Sequence, residues 1–178
     1  MSEAAPLDEF ARIRRFFAPL AGPGGLRLED DAALIDCPAG ERLVVTTDAL
    51  VEGVHYLVSD PADLVAKKLL RVNLSDLAAM AARPLHYLLT TALPAGRGED
   101  WLALFAEGLA ADQRRFGIDL LGGDSVTTPG PAMLSLTAIG SVRAGCELRR
   151  GFGPEKEEPL ARFVERRHIY ARVFRLVG

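Results

Sequence analysis

The chain has 178 residues, 49% of them apolar and 25% charged, which is the balance of a water-soluble globular domain with one hydrophobic core. A net charge of −3 offers no basic footprint for nucleic acid, and no apolar run is long enough to span a membrane. Two cysteines, Cys37 and Cys146, build no disulfide framework and fit a reducing cytoplasm, and the N-terminal residues do not read as a signal peptide.

Pro6 to Leu20 reads as a helix with Leu7, Phe10, Ile13 and Phe17 on one face, closed by the loop Ala21-Gly22-Pro23-Gly24-Gly25. That loop lacks the Lys-Ser/Thr ending of a P-loop and reads as a connector. Leu34–Asp36 and Leu43–Thr47 read as two strands joined by the turn Pro38-Ala39-Gly40. Asp60-Pro61 opens a helix, with Ser59 or Asp60 as cap, that runs to about Ala82 and buries Leu70, Leu74 and Leu77. Leu85–Leu93 is a strand ended by Pro94. Glu99–Phe116 is a helix with Trp101, Leu104, Phe105 and Leu109 on its inner face, stopped by Gly117. Ile118–Leu121 is a short strand that runs into Gly122-Gly123-Asp124, and Met133–Val142 alternates like another strand. This order predicts an α+β fold, a mixed or antiparallel sheet with helices packed on one face. Pro159–Val177 reads as an amphipathic helix with a solvated basic face.

The chemistry collects at the ends of apolar segments. The strand through Val44 and Val45 delivers Thr46, Thr47 and Asp48, and His55 follows shortly after. Glu29-Asp30-Asp31 stands before Ala32-Ala33-Leu34, Asp76 lies inside Val72–Leu77, and Asp124 follows the glycine pair. An Asp within an otherwise apolar helix costs propensity and desolvation, so Asp76 points to a function. Two glycines before Asp124 allow backbone to approach a ligand closely. Hard oxygen donors from separate elements, with no Cys or His cluster, suit Mg²⁺, which most often serves phosphate chemistry.

Taken together, five segments resemble thiamine-monophosphate kinase: Asp30–Leu34, Thr46-Thr47-Asp48 with Val51–His55, Asp60–Leu64, Val72–Met80 and Gly122–Ser125. The resemblance covers roughly residues 7–150. It implies an N-terminal domain like that of aminoimidazole ribonucleotide synthetase and transfer of the ATP γ-phosphoryl group to thiamine monophosphate. By the same resemblance Asp30, Asp31, Thr46, Thr47, Asp48, Asp76 and Asp124 match Mg²⁺ ligands. Gly123, Asp124 and Arg150 fall at the nucleotide, and His55 matches a substrate contact. No covalent nucleophile is expected, because phosphoryl transfer needs positioning and charge neutralisation.

Glu29 stands where the family has glycine, and Ser125 where it has threonine. Residues 1–146 are expected to form the Mg–ATP-binding domain. Residues 147–178 are expected to be a divergent tail, with the family's second domain absent and the chain weakly active. The resemblance also implies a homodimer paired through its sheets, with Val44, Leu134 and Leu136 among the apolar residues needing cover. Two alternatives stay open: a non-catalytic Mg-nucleotide-binding or dimerisation module, and a related kinase or synthetase with another acceptor.

Overall fold

A computed structural model describes residues 8–149; Arg150 and the helix expected over Pro159–Val177 lie outside them. Four strands, β1 (Glu41–Val51), β2 (Arg83–Pro94), β3 (Asp119–Thr128) and β4 (Met133–Arg143), form one sheet in the order β1-β4-β2-β3. β4 runs antiparallel to both neighbours, whereas β2 and β3 are parallel. Parallel strands need a crossover, and α3 (Glu99–Phe116) supplies it. α2 (Ala62–Ala79) makes the connection from β1 to β2. The α+β reading therefore holds, with a mixed sheet and its two long helices on one face.

α2 is shaped by the spacing of Val65, Leu69, Leu70, Leu74 and Leu77, all buried. They cover Leu134, Leu136 and Ala138 of β4, which alternate inward at period two. α3 packs on α2 through Leu102, Phe105 and Leu109. Gly108 makes the approach close, since a Cβ there would collide with the Asp63 backbone. Across the same seam Arg71 donates two hydrogen bonds to Asp112, at 2.7 and 2.9 Å. Gln113 of α3 then donates to Tyr87 Oη of β2 at 3.1 Å.

Several expectations need correction. The N-terminal helix is α1 (Glu9–Arg12) followed by a π turn at Ile13–Phe17 and a 3₁₀ turn at Ala18–Leu20. Phe10 is exposed, and Phe16 and Leu20 join Phe17 in the core instead. Leu34–Asp36 is not a strand: β1 takes its ladder from β4, and the Leu34 amide bonds the Gly24 carbonyl. Asp60 does not cap α2; its carboxylate accepts the Leu57 amide and closes the preceding turn. On α3 Leu104 is exposed and Leu102 takes its inner place. Leu134 and Leu136 are fully covered by α2, and Val44 faces the same side, so none of them lines the open face of the sheet. That face carries Leu43, Val45, Leu88, Val126 and Met133.

Candidate functional site

β1 is an edge strand, and its alternation sorts the expected ligands. Thr46, Asp48 and Leu50 point to the α2 side, whereas Val45, Thr47 and Ala49 point to the open side. Thr46 Oγ1 donates to Asp76 Oδ2 at 2.9 Å, tying β1 to α2. Asp76 is exposed while Leu74 and Leu77 beside it are buried, so its carboxylate lies at the rim of the helix–sheet seam. Asp48 follows on the same face, about 7 Å along the strand from Thr46. Thr47 is turned away: it donates to the Leu136 carbonyl at 3.2 Å and accepts from Thr137 Oγ1 at 3.1 Å.

The second cluster stands at the other edge. Gly123 lies within β3, which continues beyond the expected end at Leu121, with φ 151° and its backbone paired with Leu89 of β2. A Cβ would collide there, so this position needs glycine. Asp124 is exposed, takes the Ser125 amide on Oδ1 at 2.8 Å, and alternates with buried Ser125, which Thr91 Oγ1 bonds at 3.2 Å. A cavity of about 340 Å³ opens here, with Asp30, Asp31 and Asp124 on its rim and Ile13, Phe17 and Leu88 among its apolar walls. The Gly-rich connector carries Asp30 and Asp31 to it. Gly22 bonds the Leu120 carbonyl at 2.9 Å, and the chain turns back through Leu26, Arg27 and Leu28, all at positive φ. Left-handed residues with side chains cost about 1–2 kcal/mol each. Such strain gathers at functional sites.

β1 and β3 are opposite edges of the sheet, three spacings or about 14 Å apart. The fold therefore brings Thr46, Asp48 and Asp76 together at one edge and Asp30, Asp31, Gly123 and Asp124 at the other. Among the described residues no three His, Cys, Asp or Glu side chains form a metal-holding group. Each half still has the donor chemistry for Mg²⁺. The cation binds through one or two carboxylates, keeps water, and takes further oxygens from substrate phosphates, so a partial oxygen shell fits it better than a closed cage would.

His55 ends the turn after β1. Its Nδ1 accepts the Val51 amide at 3.0 Å, and Lys68 of α2 donates to its carbonyl. Beside it Glu52 pairs with Arg97, whose guanidinium lies 5.1 Å from the Trp101 ring centroid. Tyr56 is buried next to this pair; burial first, then the Glu52 charge, pushes its hydroxyl up to about 12, with Arg97 acting against them. Sequence reading missed Lys68, although its place two helical turns before Asp76 puts both on one side of α2. It also missed Arg97, which no local pattern marks.

Comparison with known proteins agrees with this architecture. The family "AIR synthase related protein, N-terminal domain" matches residues 29–142. Thiamine-monophosphate kinase of Caulobacter vibrioides is 49% identical over 154 residues, covering 85% of this chain and 44% of that protein. The crystal structure of thiamine-monophosphate kinase from Stenotrophomonas maltophilia superposes with a TM-score of 0.64 at 47% identity, over 69% of this chain and 38% of that one. AaThiL complexed with AMPPCP and TMP superposes with a TM-score of 0.57 at 26% identity, over 80% of this chain and 45% of that one. The chain thus spans less than half the length of the relatives it matches. It belongs to the AIR synthase related protein family, as an N-terminal domain of the kind found in thiamine-monophosphate kinases.

Proposed function

We propose that this chain is the Mg–ATP-binding part of an enzyme that phosphorylates thiamine monophosphate to thiamine diphosphate at the expense of ATP. The observation that carries the reading is its 49% identity to a thiamine-monophosphate kinase over 154 residues. The two acidic clusters support it, because two anions must meet in this reaction. Asp30, Asp31 and Asp124 would hold Mg²⁺ near the nucleotide phosphates, where the close backbone at Gly123 leaves room for them. Thr46, Asp48 and Asp76 would hold Mg²⁺ at the other cluster, with Thr47 as the remaining candidate. When bound, Mg²⁺ neutralises charge and aligns the phosphoryl groups. The acceptor is already a phosphate, so no strong base is required.

The resemblance adds His55 as a substrate contact and Arg150 at the nucleotide. It also adds a homodimer, in which a second copy would cover the open face, where Val45 is 61% and Val126 43% exposed. A cytoplasmic setting fits the free cysteines Cys37 and Cys146. One further reading, a nucleotide-binding module without its own turnover, is favoured by the division of the acidic residues between two sheet edges, with no metal-holding group of three among the described residues.

Calorimetry with Mg–ATP is the first test. Asp76→Asn keeps the shape and removes one charge, and at least a tenfold loss of affinity is expected; equal affinity would take Asp76 out of the site. An ADP-release assay with and without thiamine monophosphate then separates the readings. Slow acceptor-dependent release supports the kinase, and binding with none supports the module.

A further inference from the structure

We propose that Thr91 is a positioning residue for the Asp124 carboxylate and acts through the hydroxyl of Ser125. This rests on the kinase reading above, in which Asp124 holds Mg²⁺ near the nucleotide phosphates, and adds a residue that the reading does not contain. Thr91 of β2 and Ser125 of β3 face each other in the parallel register. Thr91 is 1% and Ser125 9% exposed, and Thr91 Oγ1 donates to Ser125 Oγ at 3.2 Å. Both line the cavity, beside Leu89, Leu120 and Leu121. Burying two hydroxyls on an apolar wall costs desolvation that their mutual bond offsets only in part. Of the five buried polar side chains among the described residues, the other three, Asn73, Asp112 and Ser141, lie away from this cavity. Asp112 and Ser141 accept from Arg71 and Arg83, and Asn73 donates to the Leu69 carbonyl of its own helix.

Ser125 is the residue that holds Asp124. Its amide donates to Asp124 Oδ1 at 2.8 Å. β3 is an edge strand, so among the described residues no further strand braces this stretch from outside. Before Asp124 come Gly122 and Gly123, which have no side chains to pack. The carboxylate therefore depends on the setting of the residue that follows it.

A serine has three staggered χ1 wells and no branch at Cβ to choose among them. Thr91 is the stiff partner. Its branched Cβ restricts χ1, and the fold packs closely round it. The bond from Thr91 selects one well for Ser125 and ties that residue to β2. The Ser125 amide then keeps its direction. The Asp124 carboxylate stays at the cavity rim, where a metal-bound phosphate would meet it.

The first readout needs no ligand. Three-bond couplings of the Ser125 side chain, measured by NMR on the full chain with labelled serine, should show one χ1 rotamer in the wild type and an average over rotamers in Thr91→Val. A single rotamer in both would overturn the proposal. Calorimetry with Mg–ATP gives the second readout. Thr91→Val keeps the shape and removes the hydroxyl, and affinity should fall about fivefold, the loss that one ordinary hydrogen bond implies. Thr91→Ser keeps the hydroxyl on a smaller side chain and should bind within about twofold of wild type. Packing alone would make Thr91→Ser the worse of the two, and that order would overturn the proposal. In a Ser125→Thr background the branched Cβ fixes χ1 without help, so there Thr91→Val should cost less than about twofold. The full loss in that background, or no loss in the wild-type chain, would equally overturn it. A wild-type chain that does not bind Mg–ATP ends the kinase reading and this role together, whereas wild-type binding indifferent to Thr91→Val ends this role alone.

Discussion

A single hydroxyl illustrates how burial and function part company in this chain. Tyr56 is 5% exposed, and its hydroxyl has no hydrogen-bond partner among the described residues. An unpaired buried hydroxyl costs free energy, so Tyr56→Phe should be neutral or mildly stabilising at pH 7. The alkaline side carries the sharper expectation. Burial, reinforced by Glu52, raises the hydroxyl to about 12 from an ordinary value of 10.0. Tyr87 is pushed upward as well, chiefly by burial and against its hydrogen bond from Gln113. A group whose folded pKa is raised contributes stability that is complete below its unfolded value and is lost as pH climbs toward the folded one. Thermal melts followed by circular dichroism should fall between about pH 10 and 12. Tyr56→Phe should flatten part of that fall. An unchanged slope would mean that Tyr56 ionises as freely in the folded protein as in the unfolded chain.

Among the elements, the α2–α3 seam is the main joint, and one ion pair spans it. Asp112 is 2% exposed and depends on Arg71, which is 36% exposed and lies 5.8 Å from the Phe116 ring centroid. Removing Arg71 strands a buried carboxylate. Arg71→Met should cost about 2 kcal/mol in urea unfolding, below the roughly 3–5 kcal/mol of a fully dry pair, because water reaches the guanidinium. Arg71→Met with Asp112→Leu should recover most of the loss. A double variant as unstable as the single would show that the seam relies on packing around Arg71 and not on its charge.

This joint also marks how far the sequence could be read. Glu99–Phe116 was legible to the residue, because a 3.6-residue apolar period ends at Gly117, which adopts the left-handed cap. The four strands were found but came out short, β1 and β2 at both ends and β3 and β4 at their C-terminal ends, since pairing across a sheet extends them beyond their apolar cores. The Leu34–Asp36 error has the same source: a strand needs a partner, and propensity does not supply one. The run of left-handed residues at Leu26–Leu28 was invisible, because no glycine occupies those positions and tertiary contacts alone impose them. The acidic residues were all identifiable by type and setting. Their division between two edges was not, because strand order is a long-range property that no local spacing encodes.

For the whole molecule, that division is the central fact. Asp48 and Asp76 serve the β1 edge, Asp30, Asp31 and Asp124 the β3 edge, and about 14 Å of sheet separates them. One chain alone therefore presents two separate groups of carboxylates, and on the proposed function each would be an incomplete oxygen shell. The open face between the edges is apolar, with Leu43, Val45, Leu88, Val126 and Met133 exposed. If two copies pair across this face and close their sheets into a barrel about a two-fold axis along that barrel, β1 of each stands beside β3 of its partner. Each edge shell would then meet its complement, and both sites would be composite. The expected outcome is specific. Asp48→Asn and Asp124→Asn should each weaken Mg–ATP binding strongly when tested alone. Mixed one to one and allowed to exchange, half the dimers become mixed, each with one intact site, so binding should return to about a quarter of the wild-type sites. Calorimetric stoichiometry reads this number, and Val45→Glu, which places a charge in the pairing face, should abolish the recovery. Mixtures that never regain affinity would mean that each protomer holds its metal and nucleotide without the other.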